Sequence, residues 1–188
     1  MNRRACLAAF FSHLLLWASL AQAFDVSSSP VVAQGTLQAA FSPWDNVEGL
    51  IVDAIDGAKK QVLVQAYLLT SKKIAAALIV AQRRGIGVKV LADANQVAKV
   101  ESSTVPDLVA AGIPVWLETR YQNAHNKIIL IDPDTAAATV ITGSYNFTWS
   151  AQYKNAENIL IARQNPSLAL RYLANWERHR QDATLYQK

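Results

Sequence analysis

The sequence has few of the side chains that cross-link proteins or bind metals. Among 188 residues it has one cysteine, Cys6, and three histidines. A single thiol forms no disulfide within the chain and supplies no cysteine-based metal site. Only 17% of the residues are charged and 52% are hydrophobic, so the chain is globular rather than disordered. The formal net charge of +4 permits an anionic partner without requiring one.

Residues 1–23 have the pattern of a signal peptide. The segment MNRRACLAAFFSHLLLWASLAQA begins with Arg3 and Arg4, continues with an apolar stretch and ends in Ala-Gln-Ala, a typical cleavage site after Ala23. The apolar stretch, Leu7 to Leu20, is shorter than the ~20 residues that span a bilayer. We therefore predict export to the periplasm or beyond, with an uncleaved membrane anchor as the alternative.

Cleavage after Ala23 would change the net charge of the chain and remove some of its reactive side chains. It removes two of the 18 basic residues and leaves 16 against 14 acidic ones, a net charge of +2. It also removes the only cysteine and one histidine, so that His125 and His179 remain. Residues 24–35, FDVSSSPVVAQG, are small and polar enough to form a flexible lead-in. Residues 36–188 are long enough for one domain but too short for two.

Within this domain, strand patterns alternate with helix patterns. The strongest helix is predicted over Asp45 to Lys59, where Asp45 and Glu48 resemble a capping box. Two more are predicted, from Ser71 to Arg84 and from Asn165-Pro166 to His179. Strands are predicted over Thr36–Phe41, Gln61–Tyr67, Gly87–Ala92, Ile113–Leu117, His125–Ile131, Ala138–Thr142 and Asn158–Ala162. This alternation predicts a layered α/β/α domain, and the hairpin-length link after residue 131 favours a mixed sheet.

The stretch AHNKIILIDPD combines a buried strand with two cationic side chains. In a strand, His125 and Lys127 would point to the same face, where their mutual repulsion suits a site for an anion. Asp132 is an odd number of residues from both, so in a regular strand it would point to the other face. It also precedes Pro133, where the strand must end. We therefore interpret Asp132 as a structural residue that holds either the turn or the backbone near Lys127 and His125.

A second group of polar residues follows in TGSYNFTWSAQYKNAEN. Gly143 permits an unusual backbone angle, and Ser144 and Asn146 share a face if the chain is extended. Both side chains can donate hydrogen bonds to phosphate oxygens. Glu157 opens the next apolar strand, where a carboxylate can hold a histidine in one tautomer.

Together these residues resemble the phospholipase D superfamily. The pattern is H-x-K-x4-D at His125, Lys127 and Asp132, then G-S-x-N from Gly143 to Asn146, then Glu157. The resemblance extends from about residue 41 almost to the end, and is strongest to the small, secreted, single-motif bacterial nucleases. It implies a phospholipase D-like fold and hydrolysis through a covalent phosphohistidine at His125.

The resemblance also implies a role for each motif residue. Lys127 and Asn146 would hold the non-bridging phosphate oxygens, Ser144 would assist them, and Glu157 would orient His125. A second histidine would protonate the leaving oxygen, yet His179 has no lysine at the motif position. A homodimer with two His125 side chains facing each other across a two-fold axis would supply it. No cofactor is implied, and no His and carboxylate spacing predicts a metal.

The sequence leaves several alternatives open. Nucleic acid, either DNA or RNA, is the preferred substrate, and phospholipid head groups are the alternative. A third alternative is a binding module that keeps the fold without catalysis. Aromatic residues near the motif can either stack on bases or pack inside: Tyr121, Tyr145, Trp149 and Tyr153. The pairs Lys72-Lys73 and Arg83-Arg84 are interpreted as solvated helix ends, with a track for nucleic acid as the alternative. His179 is interpreted as a surface residue.

Overall fold

A computed structural model describes residues 29–187, and the predicted signal peptide and residues 24–28 of the lead-in lie outside this range. From Val31 onward the chain folds as one compact unit around an eight-stranded sheet. The strands are β1 (Thr36–Ser42), β2 (Gln61–Ala66), β3 (Gly87–Asp93), β4 (Val115–Glu118), β5 (Lys127–Ile131), β6 (Thr139–Gly143), β7 (Glu157–Arg163) and β8 (Thr184–Leu185). The helices are α1 (Val47–Asp56), α2 (Lys72–Arg83), α3 (Ala94–Lys99), α4 (Val105–Ala110), α5 (Trp149–Tyr153) and α6 (Pro166–Asp182).

The sheet is mixed, as the short link between β5 and β6 predicted. Its strand order is β1-β7-β6-β5-β2-β3-β4-β8. Strands β2, β3 and β4 are parallel to one another, and all other neighbouring pairs are antiparallel. The α/β layered class is therefore confirmed. Parallel strands need crossover connections, which α2 and the α3–α4 segment supply.

The two faces of the sheet are covered unequally. On one face the core includes the buried residues of α1 and α2, packed on alternate strand residues such as Val64, Val90 and Ile129. On the other face, Leu63, Leu91 and Leu130 pack under α6, around the buried ring of Trp176. The indole Nε1 of Trp176 donates a hydrogen bond to the carbonyl of Val64 at 3.0 Å. On this face, α6 covers β1 and β7 less completely than it covers the central strands of the sheet.

Several helix predictions need correction. The N-cap of α1 is Asn46, whose side chain accepts from Gly49 N–H, and not Asp45. The carboxylate of Asp45 instead accepts from the backbone of Phe41. The helix is also shorter than predicted, and α6 is longer. Three short helices, α3, α4 and α5, were not predicted, because five or six residues make too few turns to show a helical period.

Candidate active site

The predicted site residues meet at one edge of the sheet. Strands β2, β3 and β4 end at this edge, while β5 begins there, as the pairing of Ala66 with Lys127 shows. The end of β6 at Gly143 and the start of β7 at Glu157 lie at the same edge. Lys127, Gly143 and Glu157 each lie two residues from a core isoleucine of the same strand, and so share its face of the sheet. These isoleucines, Ile129, Ile141 and Ile159, pack on the α1–α2 side.

His125 and Lys127 are in direct contact. The Lys127 Nζ atom lies 2.9 Å from Nδ1 of His125 and 2.8 Å from the His125 carbonyl oxygen. The Lys127 side chain is buried, with 6% of its surface accessible, whereas His125 is exposed. The prediction that β5 begins at His125 was wrong, because the ladder with β2 begins at Lys127. His125 therefore lies two residues before the first residue of β5. Lys127 contacts its Nδ1 atom, which leaves Nε2 as the other ring nitrogen.

Two residues that the sequence did not single out hold the His125 loop. The Tyr67 ring lies 4.3 Å from the imidazole, centroid to centroid, and 4.9 Å from the Lys127 Nζ atom. The Asp93 carboxylate is buried at the end of β3 and accepts from the backbone N–H of Ala124 at 2.8 Å. It also accepts from Gln96 N–H as the N-cap of α3. These contacts restrain the backbone and ring of the nucleophile predicted at His125.

The G-S-x-N segment is fixed against β7. Gly143 has a φ of 155°, and a Cβ atom there would lie 2.2 Å from the carbonyl oxygen of Asn158. Only glycine fits this close approach. Ser144 is exposed, and its Oγ accepts from the backbone and side-chain N–H groups of Asn158. Its own hydroxyl proton remains available to an incoming oxygen atom.

Asn146 is partly buried beside this segment. Its Oδ1 atom is buried without a hydrogen-bond partner among residues 29–187, while its backbone carbonyl accepts from Thr148 N–H at 2.7 Å. Tyr145, between Ser144 and Asn146, is fully buried and packs in the core. Of the two interpretations of Tyr145, packing rather than base stacking is therefore correct.

Glu157 acts on the site through Lys127. Burial lowers the pKa of Lys127 to about 8, and the nearby Glu157 carboxylate opposes this shift. Glu157 accepts a hydrogen bond from Asn155 Nδ2 at 2.9 Å, and no bond from Glu157 to His125 is present in the described part of the chain. The carboxylate therefore counters the lysine charge in this conformation, and its predicted contact with the imidazole is not made.

Asp132 lies at the opposite edge of the sheet from His125, because it follows the far end of β5. Its carboxylate accepts from the backbone N–H groups of Lys59, Lys60 and Gln61 at 2.7–2.9 Å. With a φ of 48° it also occupies the left-handed region, where Asp and Asn are favoured. The contacts of Asp132 thus fix the start of β2. Its structural role is confirmed, but the suggestion that it holds the backbone near Lys127 and His125 was wrong.

His179 is half-buried, which corrects its interpretation as a surface residue. Its Nδ1 atom contacts the buried Glu118 carboxylate at 2.5 Å, and Gln65 Nε2 donates to the same carboxylate. The Tyr121 ring, in the loop toward His125, lies 5.2 Å from the His179 ring. Glu118 and His179 therefore tie the end of β4 to α6.

Two further features are absent from residues 29–187. No group of three or more His, Cys, Asp and Glu side chains is placed to hold a metal ion. The helices of this range all lack the length and hydrophobicity of a membrane span. The positive charge nearest the imidazole is the Lys127 ammonium.

The lowered pKa of Lys127 predicts opposite effects of pH on activity and on stability. An ammonium that binds phosphate must be charged, so kcat/KM should fall as the pH rises through about 8. Between about 8 and the ordinary value of 10.5 the unfolded chain binds more protons, so the free energy of unfolding should rise with pH. Initial rates and urea unfolding, both measured from pH 6 to 10, test the two effects.

The matched variant for this prediction is Lys127→Arg, since guanidinium stays charged throughout this range. Its rate should be lower, because the fork geometry differs, but the alkaline fall near pH 8 should disappear. A wild-type profile that is flat from pH 7 to 9.5, or an unchanged fall in Lys127→Arg, would contradict the assignment.

Known proteins share both this fold and much of this sequence. Residues 51–180 match the family model described as "Cardiolipin synthase, PLD-like domain". A protein named phospholipase D from Rickettsia typhi is 37% identical over 149 residues, which cover 79% of this chain and 70% of that protein. The crystal structure of Nuc, a phospholipase D family member from Salmonella typhimurium, superposes with a TM-score of 0.74. It is 30% identical, and the match covers 81% of this chain and 99% of Nuc.

A more distant relative is the mitochondrial cardiolipin hydrolase of Xenopus laevis. It is 32% identical over 105 residues, which cover 56% of this chain and 48% of that protein. The fold and the edge-of-sheet His–Lys site define an α/β phosphodiesterase. The chain belongs to the phospholipase D-like family.

Proposed function

We propose that this protein is an exported phosphodiesterase that hydrolyses nucleic acid through a covalent phosphohistidine at His125. The observation that carries the proposal is the contact between the buried Lys127 ammonium and an exposed imidazole at the sheet edge. An ammonium at this position draws a phosphodiester onto the ring and stabilises charge on its oxygens. Export rests on the signal peptide predicted over residues 1–23.

The first half-reaction follows from these contacts. When the non-bridging oxygens of the phosphodiester bind Lys127, the ammonium turns from Nδ1 toward them, with Ser144 and Asn146 as further donors. The ring then changes tautomer through solvent: Nε2 releases its proton to water, and Nδ1 takes a proton from water and donates it in a hydrogen bond to the Glu157 carboxylate. This change leaves the Nε2 lone pair for attack. Nε2 forms a bond to phosphorus while the ester P–O bond breaks. The leaving oxygen takes its proton from the His125 of a second copy of this chain.

The second half-reaction restores the enzyme. The second His125, now neutral, accepts a proton from water as the water oxygen attacks phosphorus. The Nε2–P bond breaks, and a phosphate monoester leaves. Lys127 and Asn146 hold the same oxygens in both steps, so one set of donors serves two similar transition states.

The need for two histidines supports a homodimer. Residues 29–187 contain only His125 and His179, and His179 is engaged by Glu118. On the side of the sheet that α6 covers elsewhere, β1 and β7 expose Leu37, Phe41 and Leu160. This apolar surface adjoins Ser144 and the exposed Asn158 at the site edge. We infer that a second copy covers it and brings the two imidazoles together.

Two substrate classes fit this chemistry. Nucleic acid is favoured because His125 is exposed at an open edge of the sheet, where a long polymer can bind without entering a closed cavity. Phospholipid is the alternative, and it is supported by the names of the relatives, phospholipase D and mitochondrial cardiolipin hydrolase. Both substrates present the same phosphodiester to His125.

A parallel digestion separates the two classes and tests the role of lysine. Plasmid DNA, a single-stranded oligonucleotide and phosphatidylcholine vesicles are each incubated with the protein, with and without EDTA. We expect cleavage of nucleic acid, at a rate that EDTA leaves within twofold, because Lys127 supplies the charge that a metal would otherwise supply. Choline release without DNA cleavage would favour the lipid alternative. Loss of activity in EDTA and its recovery with added Mg²⁺ or Zn²⁺ would contradict the mechanism.

A further inference from the structure

A surface groove lies beside the active site on the α1–α2 side. Its volume is about 370 Å³, and it is lined by Glu48, Thr70, Ser71, Lys72, Lys73, Trp149 and Tyr153. None of these residues belongs to the catalytic motif. We call it the Trp149 groove.

The groove presents two aromatic rings to solvent. Trp149 is 55% exposed and Tyr153 is 47% exposed, although large aromatic side chains are usually buried. They lie one turn apart on α5, with ring centroids 5.1 Å apart and an angle of 37° between the planes. Such a pair exposes aromatic ring surface on which a base can stack.

The helix that carries these rings is held rigidly. Thr148 caps its first turn by accepting from Ala151 N–H. Gln152, on another face of the helix, donates to the Asp45 carbonyl at 2.9 Å and accepts from Glu48 N–H at 2.8 Å. The exposed rings therefore project from a fixed support and lose little freedom when a ligand binds.

The charges around the rings are positive. The buried Glu48 carboxylate accepts from Ser71 Oγ at 2.6 Å and pairs with Lys73 at 3.0 Å, so these two charges compensate each other. Lys72 is exposed at the start of α2, and the ion pairs found within residues 29–187 do not include it. The Nζ atom of Lys154 lies 5.7 Å from the centre of the Trp149 ring. Two lysine charges thus flank the aromatic pair without a carboxylate partner.

The backbone joins the groove directly to the site. The Phe147 carbonyl, one residue after Asn146, accepts from the N–H groups of Thr70 and Ser71 at 2.9 Å each. Its own N–H donates to Leu68 at 3.1 Å. Trp149 follows Asn146 by three residues, so their Cα atoms are at most about 11 Å apart. The rings therefore lie close along the chain to Asn146, one of the residues proposed to hold the phosphate.

We propose that the Trp149 groove binds a single nucleic-acid strand next to the scissile phosphate. A base stacks on Trp149 and Tyr153, and Lys72 and Lys154 neutralise the adjoining phosphates. The bases of a duplex are stacked on each other and do not offer a free face, so the groove selects single strands. This inference rests on the proposed function, since it names the strand form that the phosphodiesterase site receives.

The test measures binding and cleavage separately in the full chain. Binding of a fluorescent 12-nucleotide DNA strand is followed by anisotropy in the His125→Ala background. Cleavage of the same strand by otherwise wild-type protein is compared with hydrolysis of bis(p-nitrophenyl) phosphate, which is too small to fill the groove. The variants are Trp149→Ala, Trp149→Phe and Lys72→Ala. Trp44→Ala is the matched control, because Trp44 is 82% exposed and does not line the groove.

Trp149→Ala should weaken strand binding about tenfold, and the ratio of kcat/KM for the strand to that for the small diester should fall by a similar factor. Trp149→Phe should recover most of this loss, since it keeps a ring. Lys72→Ala should reduce the slope of log Kd against log salt by about one. The Trp44→Ala protein should behave as the wild type.

Other results would overturn the inference. Equal strand binding by Trp149→Ala and Trp44→Ala would show that the groove does not bind the strand. Equal affinity for a 12-base-pair duplex would refute the selection of single strands. Binding to anionic phosphatidylglycerol vesicles that depends on Trp149, without strand binding, would assign the groove to a membrane surface. If strand binding depends on Trp149 but neither diester is hydrolysed, the groove stands and the proposed catalytic function fails.

Discussion

The His125→Ala protein is expected to lose diester hydrolysis by a factor on the order of 10⁴ or more, with its fold retained. His125 is exposed, so its removal leaves no cavity in the core. No other histidine within residues 29–187 is free to replace it, because His179 is engaged by Glu118. Hydrolysis rates and the thermal unfolding midpoint, measured on the same purified sample, test this result.

The matched variant in the same motif is Asp132→Asn. Asparagine suits the φ of 48° at this position, but it lacks the charge and presents an amide N–H to one of the three backbone donors. We expect a loss of about 2 kcal/mol in the free energy of unfolding and a fall of about 4–8 °C in Tm. The folded fraction should keep most of its activity. A well-folded Asp132→Asn protein that is as inactive as His125→Ala would show that Asp132 acts in the chemistry.

A second large effect on activity is expected when wild-type and His125→Ala chains are mixed. If each active centre needs one His125 from each of two chains, a mixed dimer of wild type and His125→Ala has no complete centre. Random pairing at equal amounts gives about a quarter wild-type homodimers, so activity per total protein should fall to roughly a quarter. Self-contained sites would give roughly half under the same pairing. Activity should therefore follow the square of the wild-type fraction, and a linear dependence would show that one His125 suffices.

The dimer itself is checked by sedimentation in the same samples. Leu160→Arg places a charge in the exposed apolar surface of β7 and should give inactive monomers. Leu185→Arg is the control, because Leu185 is similarly exposed but lies on β8, the outermost strand on the side of the sheet away from β1 and β7. A dimeric, active Leu160→Arg protein would place the interface elsewhere.

Local patterns predicted the parts of the molecule that depend on neighbouring residues. The α/β order, the mixed sheet and the parity of residues 127–131 follow from alternation of side chains along a strand. The N-cap of α1 was missed by one residue, because Asp45 and Asn46 are both good capping residues and tertiary contacts decide between them.

The support of the site depends on contacts between residues far apart in sequence. Asp93 reaches Ala124 across 31 residues, and Glu118 reaches His179 across 61. Tyr67 follows an ordinary buried strand, and nothing near it in sequence shows that its ring meets His125. These residues carry no local pattern, so the sequence predicted the candidate reacting groups but not the side chains that hold them.

The proposed covalent step at His125 is tested most directly by the stereochemistry at phosphorus. A dinucleotide phosphorothioate of single configuration is hydrolysed in ¹⁸O-labelled water, and the configuration of the product is determined. Attack by His125 followed by attack by water gives two displacements, so the account predicts retention, together with a phosphoryl adduct on the His125 peptide after rapid acid-free quenching. Inversion with no adduct would show a single direct attack by water and would contradict the account.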